Sequence, residues 1–139
     1  MDDTTDLPGA RVKFRIFAPG LEPETITQKL GLNPSHTHRQ GDYPRGNPKY
    51  TAYKHGMWAL DSPLALNESF EAHLDALLAL LEPQHAYICT LAESATVDFY
   101  CTLFWQNGFQ LPPQILSRIA DLRAAFGVVV YPADSDLPE

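Results

Sequence analysis

The sequence predicts a single α+β domain built from a mostly antiparallel sheet with helices packed on one face. Three observations support this class: strand-like segments with a period of two recur along the chain, helix patterns separate them, and no internal repeat interrupts their order. The expected order is β-α-(β)-β-α-β-β-α-β, which favours a ferredoxin-like fold or a related two-layer sandwich. We place this domain at residues 11–131, between a disordered lead at 1–10 and an acidic tail at 132–139.

The first strand and the first helix have clear boundaries. Residues 11–18 alternate between apolar and basic side chains, which predicts a half-buried strand. Its apolar side consists of Val12, Phe14, Ile16 and Ala18, and its basic side consists of Arg11, Lys13 and Arg15. A helix is expected from Pro23, which suits a first helical position, to Leu30, and Gly31 then ends it.

The segment from 35 to 54 is polar and rich in turn-forming residues, and its periodicity is weak. Loops of this length are uncommon in compact domains unless they are functional or mobile. We expect one short strand within the segment, at Thr37–Gln40, and another strand after it, at Met57–Leu60.

The strongest helix pattern covers Glu68–Leu81 and follows a candidate N-cap at Asn67. Its apolar stripe consists of Phe70, Leu74, Leu77, Leu78 and Leu81. His73 is expected to be exposed or to lie at the edge of this stripe, and Pro83 ends the helix.

The second half of the chain predicts three more strands and one more helix. The elements are strands at Tyr87–Leu91 and Thr96–Trp105, a helix from 112–113 to 125–126, a Gly127 cap and a strand at Val128–Tyr131. The strand at 96–105 is apolar on both faces over its second half, so it belongs near the middle of the sheet. Asp98 lies at its start, where surface exposure is the simplest expectation.

Composition restricts the classes of partner and the location. The formal net charge is −7, which disfavours nucleic acid, and no apolar stretch approaches the roughly 20 residues of a membrane span. The acidic N-terminus lacks the apolar segment of a signal peptide, so we expect a cytoplasmic protein. Cys89 and Cys101 lie in apolar segments, which favours buried free thiols over a disulfide between them. No cofactor is expected.

Histidines supply one candidate site. His36 and His38 are two residues apart, so on an extended segment their side chains project to the same side. With His55 or Asp42 they would form a three-ligand metal site of the His/carboxylate type. The simpler interpretation is a set of polar loop histidines, because spacing alone does not fix the third ligand.

Aromatic and arginine residues supply a second candidate, a binding surface in or beside the polar segment. The candidate residues are Arg39, Gly41, Asp42, Tyr43 and Trp58, with Arg45, Tyr50 and Tyr53 nearby. Tyr, Trp and Arg are the residues that most often anchor binding surfaces. A contact between Arg39 and Asp42 across the Gly41 turn would order the loop, and ordinary packing over the sheet edge is the alternative.

Three motifs resemble a known family. They are Ile26-Thr27-x-x-Leu30-Gly31-Leu32-x-Pro34, the Gly41-Asp42 turn and Trp58-x-Leu60-x-Ser62. With the Leu-rich helix and the terminal helix-strand unit, the chain over about residues 11–131 resembles the bacterial family called domain of unknown function 4279. The resemblance implies a compact α+β domain of soluble bacterial proteins, carries over no activity, and does not include His36 and His38.

Two functional hypotheses follow. The sequence contains no Gly-x-Ser-x-Gly, phosphate-binding loop or Cys-x-x-Cys motif, so we favour a non-enzymatic protein-interaction or regulatory module. A partner protein or a second copy of the chain is the expected partner, and the acidic balance suggests that a partner protein would be basic. The alternative is a small-molecule or metal-binding protein that uses residues 35–62.

Overall fold

A computed structural model describes residues 7–133. Its sheet has five strands in the order β2-β3-β1-β4-β5. The strands are β1 at Gly9–Ala18, β2 at His36–His38, β3 at Gly56–Asp61, β4 at Thr96–Phe104 and β5 at Ala125–Tyr131. All neighbouring strands are antiparallel except β4 and β5, which are parallel. The predicted α+β class with a mostly antiparallel sheet is confirmed.

Four α-helices contribute to one core with the apolar side of the sheet. They are α1 at Pro23–Leu30, α2 at Phe70–Leu81, α3 at His85–Leu91 and α4 at Pro113–Asp121. Each helix places buried side chains in the cluster that contains Val12, Phe14 and Ile16 of β1. The basic side of β1 therefore lies on the other face of the sheet, which we call the open face. The result is the predicted two-layer sandwich.

Trp58 joins β3 to α1 within the core. Its side chain is fully buried, and its indole Nε1–H donates a hydrogen bond to Thr27 Oγ1 at 3.0 Å. The indole also packs edge-on against Phe14 of β1, with ring centroids 6.5 Å apart. A large apolar ring is thus buried while its one polar group keeps a partner.

One predicted strand is wrong, because residues 87–91 belong to α3. A short apolar run does not distinguish a strand from a buried helix segment. Here Pro83 lies in a 3-10 turn at Glu82–Gln84 that leads directly into α3. Only Ile88 of this helix is buried. The observed order is β-α-β-β-α-α-β-α-β, with five strands in the described residues.

The last helix is shorter than predicted and the last strand is longer. The chain reverses at Arg123, whose φ is 61°, and β5 then begins at Ala125. Gly127 is therefore a strand residue, and the predicted cap is wrong. The start of α2 also differs, because Ser69 is the N-cap and its Oγ accepts a hydrogen bond from Ala72 N at 3.0 Å.

His73 is buried, at 2% exposure, contrary to the prediction that it is exposed or at an edge. It lies three residues after Phe70 and four before Leu77, so it shares their face of α2. Its Nδ1 is 2.7 Å from Ser62 Oγ. Burial lowers the pKa of His73 below its ordinary value.

The two cysteines are free, so the preference for thiols over a disulfide is confirmed. Cys101 is buried on the helix side of the sheet, and burial raises the pKa of its thiol to about 12. Cys89 is only partly buried, in contrast to the expectation, and its Sγ lies 3.2 Å from the backbone oxygen of Asp121 at the end of α4.

Replacement of Gly56 by alanine is expected to destabilise the fold. A Cβ at this position would lie 2.8 Å from the backbone oxygen of Leu21, closer than van der Waals contact allows. We expect the free energy of unfolding to fall by about 1–3 kcal/mol, as for other overpacked sites. Urea denaturation measures this change. Gly108→Ala is the control, because a Cβ there meets nothing within 4 Å, and an equal loss in both variants would contradict the prediction.

The buried His73 predicts a loss of stability in mild acid. Its pKa is lower in the folded state than the value of about 6.5 expected for the unfolded chain, so the folded protein binds fewer protons. The free energy of unfolding should be highest above about pH 6.5 and should fall as the pH drops toward the folded-state pKa. His73→Gln should reduce this slope. A variant that keeps the full wild-type slope in urea titrations at several pH values would refute the assignment.

Candidate functional site

A cleft of about 750 Å³ lies on the open face. The sheet supplies its floor, and the segment between β2 and β3 supplies its rim. The floor and the β2 wall are formed by Lys13, Arg15, His36, Thr37, His38, Met57 and Tyr100. The rim is formed by Gly41, Asp42, Tyr43, Arg45, Gly46 and Tyr53.

Arg15 forms a rigid part of the floor. Its Nε and Nη2 donate to the two carboxylate oxygens of Asp98 at 2.9 and 2.7 Å, and the two residues face each other directly across β1 and β4. The guanidinium carbon also lies 4.3 Å from the ring centroid of Tyr100 and 4.7 Å from that of Phe17. Bidentate pairing and ring contacts fix the guanidinium in one orientation. Asp98 is only 16% exposed, so the prediction of simple surface exposure is wrong: its partner allows the carboxylate to be covered.

The rim segment is closed at its base. Gly41 N donates to Tyr53 O at 2.9 Å, and Tyr53 N donates to Asp42 O at 2.8 Å. The Tyr53 ring stacks on His38 of β2, with centroids 3.5 Å apart and planes 7° from parallel. Residues 42–53 therefore leave the sheet edge and return to it between two fixed backbone contacts. We call this closure, formed by Gly41, Asp42 and Tyr53, the neck.

Arg39 holds the neck to α1 and does not line the cleft. Its guanidinium pairs with Glu22 at 2.7 Å and with Glu24. The predicted contact with Asp42 is made by the backbone, because the Asp42 carboxylate accepts from Arg39 N at 2.9 Å. Gln40 adds a further tie, since its Oε1 accepts from Gly20 N at 2.7 Å.

Arg45 is held in a strained conformation at the rim. Its φ is 56° and its ψ is 20°, which is the left-handed region that costs a non-glycine residue about 1 kcal/mol or more. The neighbouring Gly46 has a φ of 67°, so two successive residues are left-handed. The turn places a long cationic side chain at the rim of the cleft.

The cleft is positively charged although the chain is acidic. Its lining contains three permanent cations, Lys13, Arg15 and Arg45, and one carboxylate, Asp42. Asp98, outside the lining, neutralises Arg15, so the positive excess comes from Lys13 and Arg45, whereas the whole chain has a formal charge of −7. Within residues 7–133, neither Lys13 nor Arg45 forms an ion pair. Burial lowers the pKa of His38, which favours its neutral form.

A smaller depression of about 230 Å³ adjoins the cleft and shares Lys13 and His36 with it. It contains the Ser62–His73 contact and Asp61, whose Oδ2 is 3.5 Å from His36 Nε2. One Asp61 oxygen, Oδ1, is buried without a hydrogen-bond partner, as is His73 Nε2. The two depressions together extend across β2, β3 and β1.

The structure brings some of the predicted site residues together and separates others. Gly41, Asp42 and Tyr43 line the cleft. Trp58 lies in the core on the other side of the sheet, so its role is packing.

The candidate metal ligands are also divided. His36 and His38 line the cleft, whereas His55 lines two further depressions near Phe17, one of which it shares with His38. Across residues 7–133, no group of three or more His, Cys, Asp or Glu side chains is placed to hold a metal ion.

Three cleft residues lie outside every predicted site and outside the 35–62 segment: Lys13, Arg15 and Tyr100. The sequence does contain a pattern for two of them, because Lys13 and Arg15 lie on the polar side of β1. If one face of the sheet is left without helices, these residues must project from it. Tyr100 reaches the cleft only through the pairing of β4 with β1.

Comparisons with known proteins agree on the family alone. The model of the family described as "Domain of unknown function (DUF4279)" matches residues 8–133. No curated protein matches the chain, and no solved structure matches it. Among the described residues, no helix is long and apolar enough to cross a membrane. The match covers nearly the whole chain, and the protein therefore belongs to the DUF4279 family.

Proposed function

We propose that this protein acts as a binding module, not as an enzyme, and that the cleft on its open face binds an acidic segment of a partner protein. The observation that carries the proposal is the concentration of cations in the cleft of an acidic chain. Charge complementarity of this kind steers encounter and selects partners. The basic partner expected from net charge alone is replaced by an acidic one, because the concave surface has the opposite sign.

The cations differ in what they offer a ligand. Arg15 is already paired with Asp98, so it mainly shapes the floor. Lys13 and Arg45 have no carboxylate partner among the described residues, and their charges are available to an incoming acidic group. Lys13 is partly buried in the floor and Arg45 is exposed at the rim, so the two approach a ligand from different sides.

Tyrosines supply the apolar contacts. Tyr43 is 44% exposed at the rim, Tyr53 is fixed by stacking on His38, and Tyr100 lies under the Arg15 guanidinium. Tyrosine adds contact area at a low cost in side-chain entropy, which is why it is frequent at recognition sites. The strained turn at Arg45 supports the same proposal, because backbone strain is concentrated at functional sites.

The shape of the cleft favours an extended segment. It is open to solvent above the sheet, and the open face continues from Tyr100 toward Tyr131 of β5. A small anionic molecule is the second candidate, because about 750 Å³ falls within the range of roughly 300–1,000 Å³ found for small-molecule sites. We propose a cytoplasmic partner in a bacterial cell, since both cysteines are unpaired.

Calorimetric titration with a hexaglutamate peptide tests the proposal. Lys13→Ala should weaken binding about two- to fivefold, which is the loss in affinity expected when one solvent-accessible ion pair is removed. Arg45→Gly should have a similar effect while relieving the left-handed strain, so its stability should not fall. Lys29→Ala is the matched control, because Lys29 is an exposed cation on α1 and does not line the cleft.

Titrations with other ligands distinguish an acidic protein segment from a small anionic molecule. Hexalysine, which the −7 charge of the chain attracts non-specifically, should bind the wild type and Lys13→Ala equally. Inorganic phosphate or citrate should bind more weakly than hexaglutamate if the ligand is a protein segment. Tighter binding of citrate would favour the small-molecule candidate. Equal losses in the Lys13 and Lys29 variants, or no hexaglutamate binding in low salt, would contradict the proposed site.

A further inference from the structure

The outer edge of β5 is unusually accessible for a strand of its length. β5 is the last strand of the sheet, and no described segment pairs with its far side. It has seven residues, Ala-Phe-Gly-Val-Val-Val-Tyr, with no charge and no proline. Proteins usually protect an edge with charged residues, proline, bulges or a short strand. The opposite edge follows this rule, since β2 has only three residues.

Exposed apolar side chains flank β5 on both faces of the sheet. On the helix side, Val130 is 37% exposed and Phe109, which packs on Phe126, is 46% exposed. On the open face, Tyr131 is 47% exposed and stacks on Phe104. Trp105 is 39% exposed and has a φ of 59°, a conformation that side-chain-bearing residues rarely adopt. Exposed apolar side chains thus border the edge on both faces of the sheet.

We infer that a second copy of this chain pairs with β5 in antiparallel orientation, which joins two sheets into one. When the two β5 strands pair antiparallel about Val128, a two-fold axis relates the two copies. The helix side of one sheet then continues as the helix side of the other. The opposed positions are Ala125 with Tyr131, Phe126 with Val130, Gly127 with Val129, and Val128 with itself. In each pair both residues project to the same side of the sheet, as the pairing of β5 with β4 establishes.

Self-complementarity identifies the occupant as a second copy. None of the opposed positions brings like charges together, although each chain has a formal charge of −7. An edge without charges gives a charged partner nothing to recognise, whereas an isologous contact needs only the apolar surface already present on both copies. Phe126 with Phe109 on one copy would meet Val130 of the other, and this contact occurs twice.

The interface is separate from the proposed binding cleft. The cleft lies over β2, β3, β1 and Tyr100 of β4, and β5 is on the far side of β4 and contributes no lining residue. Dimerisation would leave both clefts accessible, so failure of one proposal does not decide the other.

Sedimentation equilibrium of the full chain over about 1–100 µM tests the inference. Twice the monomer mass is expected at the higher concentrations. Val130→Lys adds a charge at the edge and should raise the dimer dissociation constant about tenfold or more. Leu80→Lys is the matched control, because Leu80 is a 38% exposed apolar residue on α2, away from β5, and this variant should dimerise like the wild type.

Hydrogen exchange of the wild-type protein provides a readout that needs no variant. The β5 amides that do not bond to β4 should exchange more slowly at high than at low protein concentration. A wild-type monomer at about 100 µM would overturn the inference. It would also be overturned by a dimer that Val130→Lys leaves unchanged, by equal weakening in both lysine variants, or by β5 exchange that does not depend on concentration.

Discussion

The ion pair between Arg15 and Asp98 is the constraint on which the open face depends, because β1 must cross the middle of the sheet with a basic side that no helix covers. The pair lies directly across β1 and β4 and is 23% and 16% exposed. Loss of one partner would leave a half-buried charge, which is far more costly than the intact pair. With the pair in place, Tyr100 and Phe17 pack around the guanidinium, and the floor of the cleft is fixed before any ligand arrives.

The helix layer holds the contacts that support the proposed recognition surface on the open face. Trp58 and Thr27 connect β3 to α1 inside the core, and Arg39 ties the rim segment to the same helix from outside. These contacts hold the neck at Gly41 and Tyr53 in place, so the left-handed turn at Arg45 can persist despite its cost. The stability of the helix side thereby supports a strained and charged rim on the open side.

The sequence predicts an element or a site residue correctly where the pattern is local. It fails where the position of a residue depends on pairing with a distant part of the chain. The alternation in β1 and the Pro23 and Gly31 boundaries of α1 predict those elements correctly. The run at 87–91 is predicted wrongly as a strand, because five residues, four of them apolar, are too few to fix a period. The sequence points to Gly41, Asp42 and Tyr43, which line the cleft, because they lie in one local turn-rich segment. It does not indicate the Arg15–Asp98 pair, because these residues are 83 positions apart and meet only in the folded sheet.

We propose the open face, not the helix side, as the recognition surface of the protein. NMR titration of the ¹⁵N-labelled full chain with hexaglutamate in low salt tests it most directly. Amide shifts should concentrate in β2, in residues 41–46 and around Lys13 and Arg15, and they should weaken as salt is added. Shifts confined to α1, α2 and α4, or spread evenly over the surface, would contradict the claim.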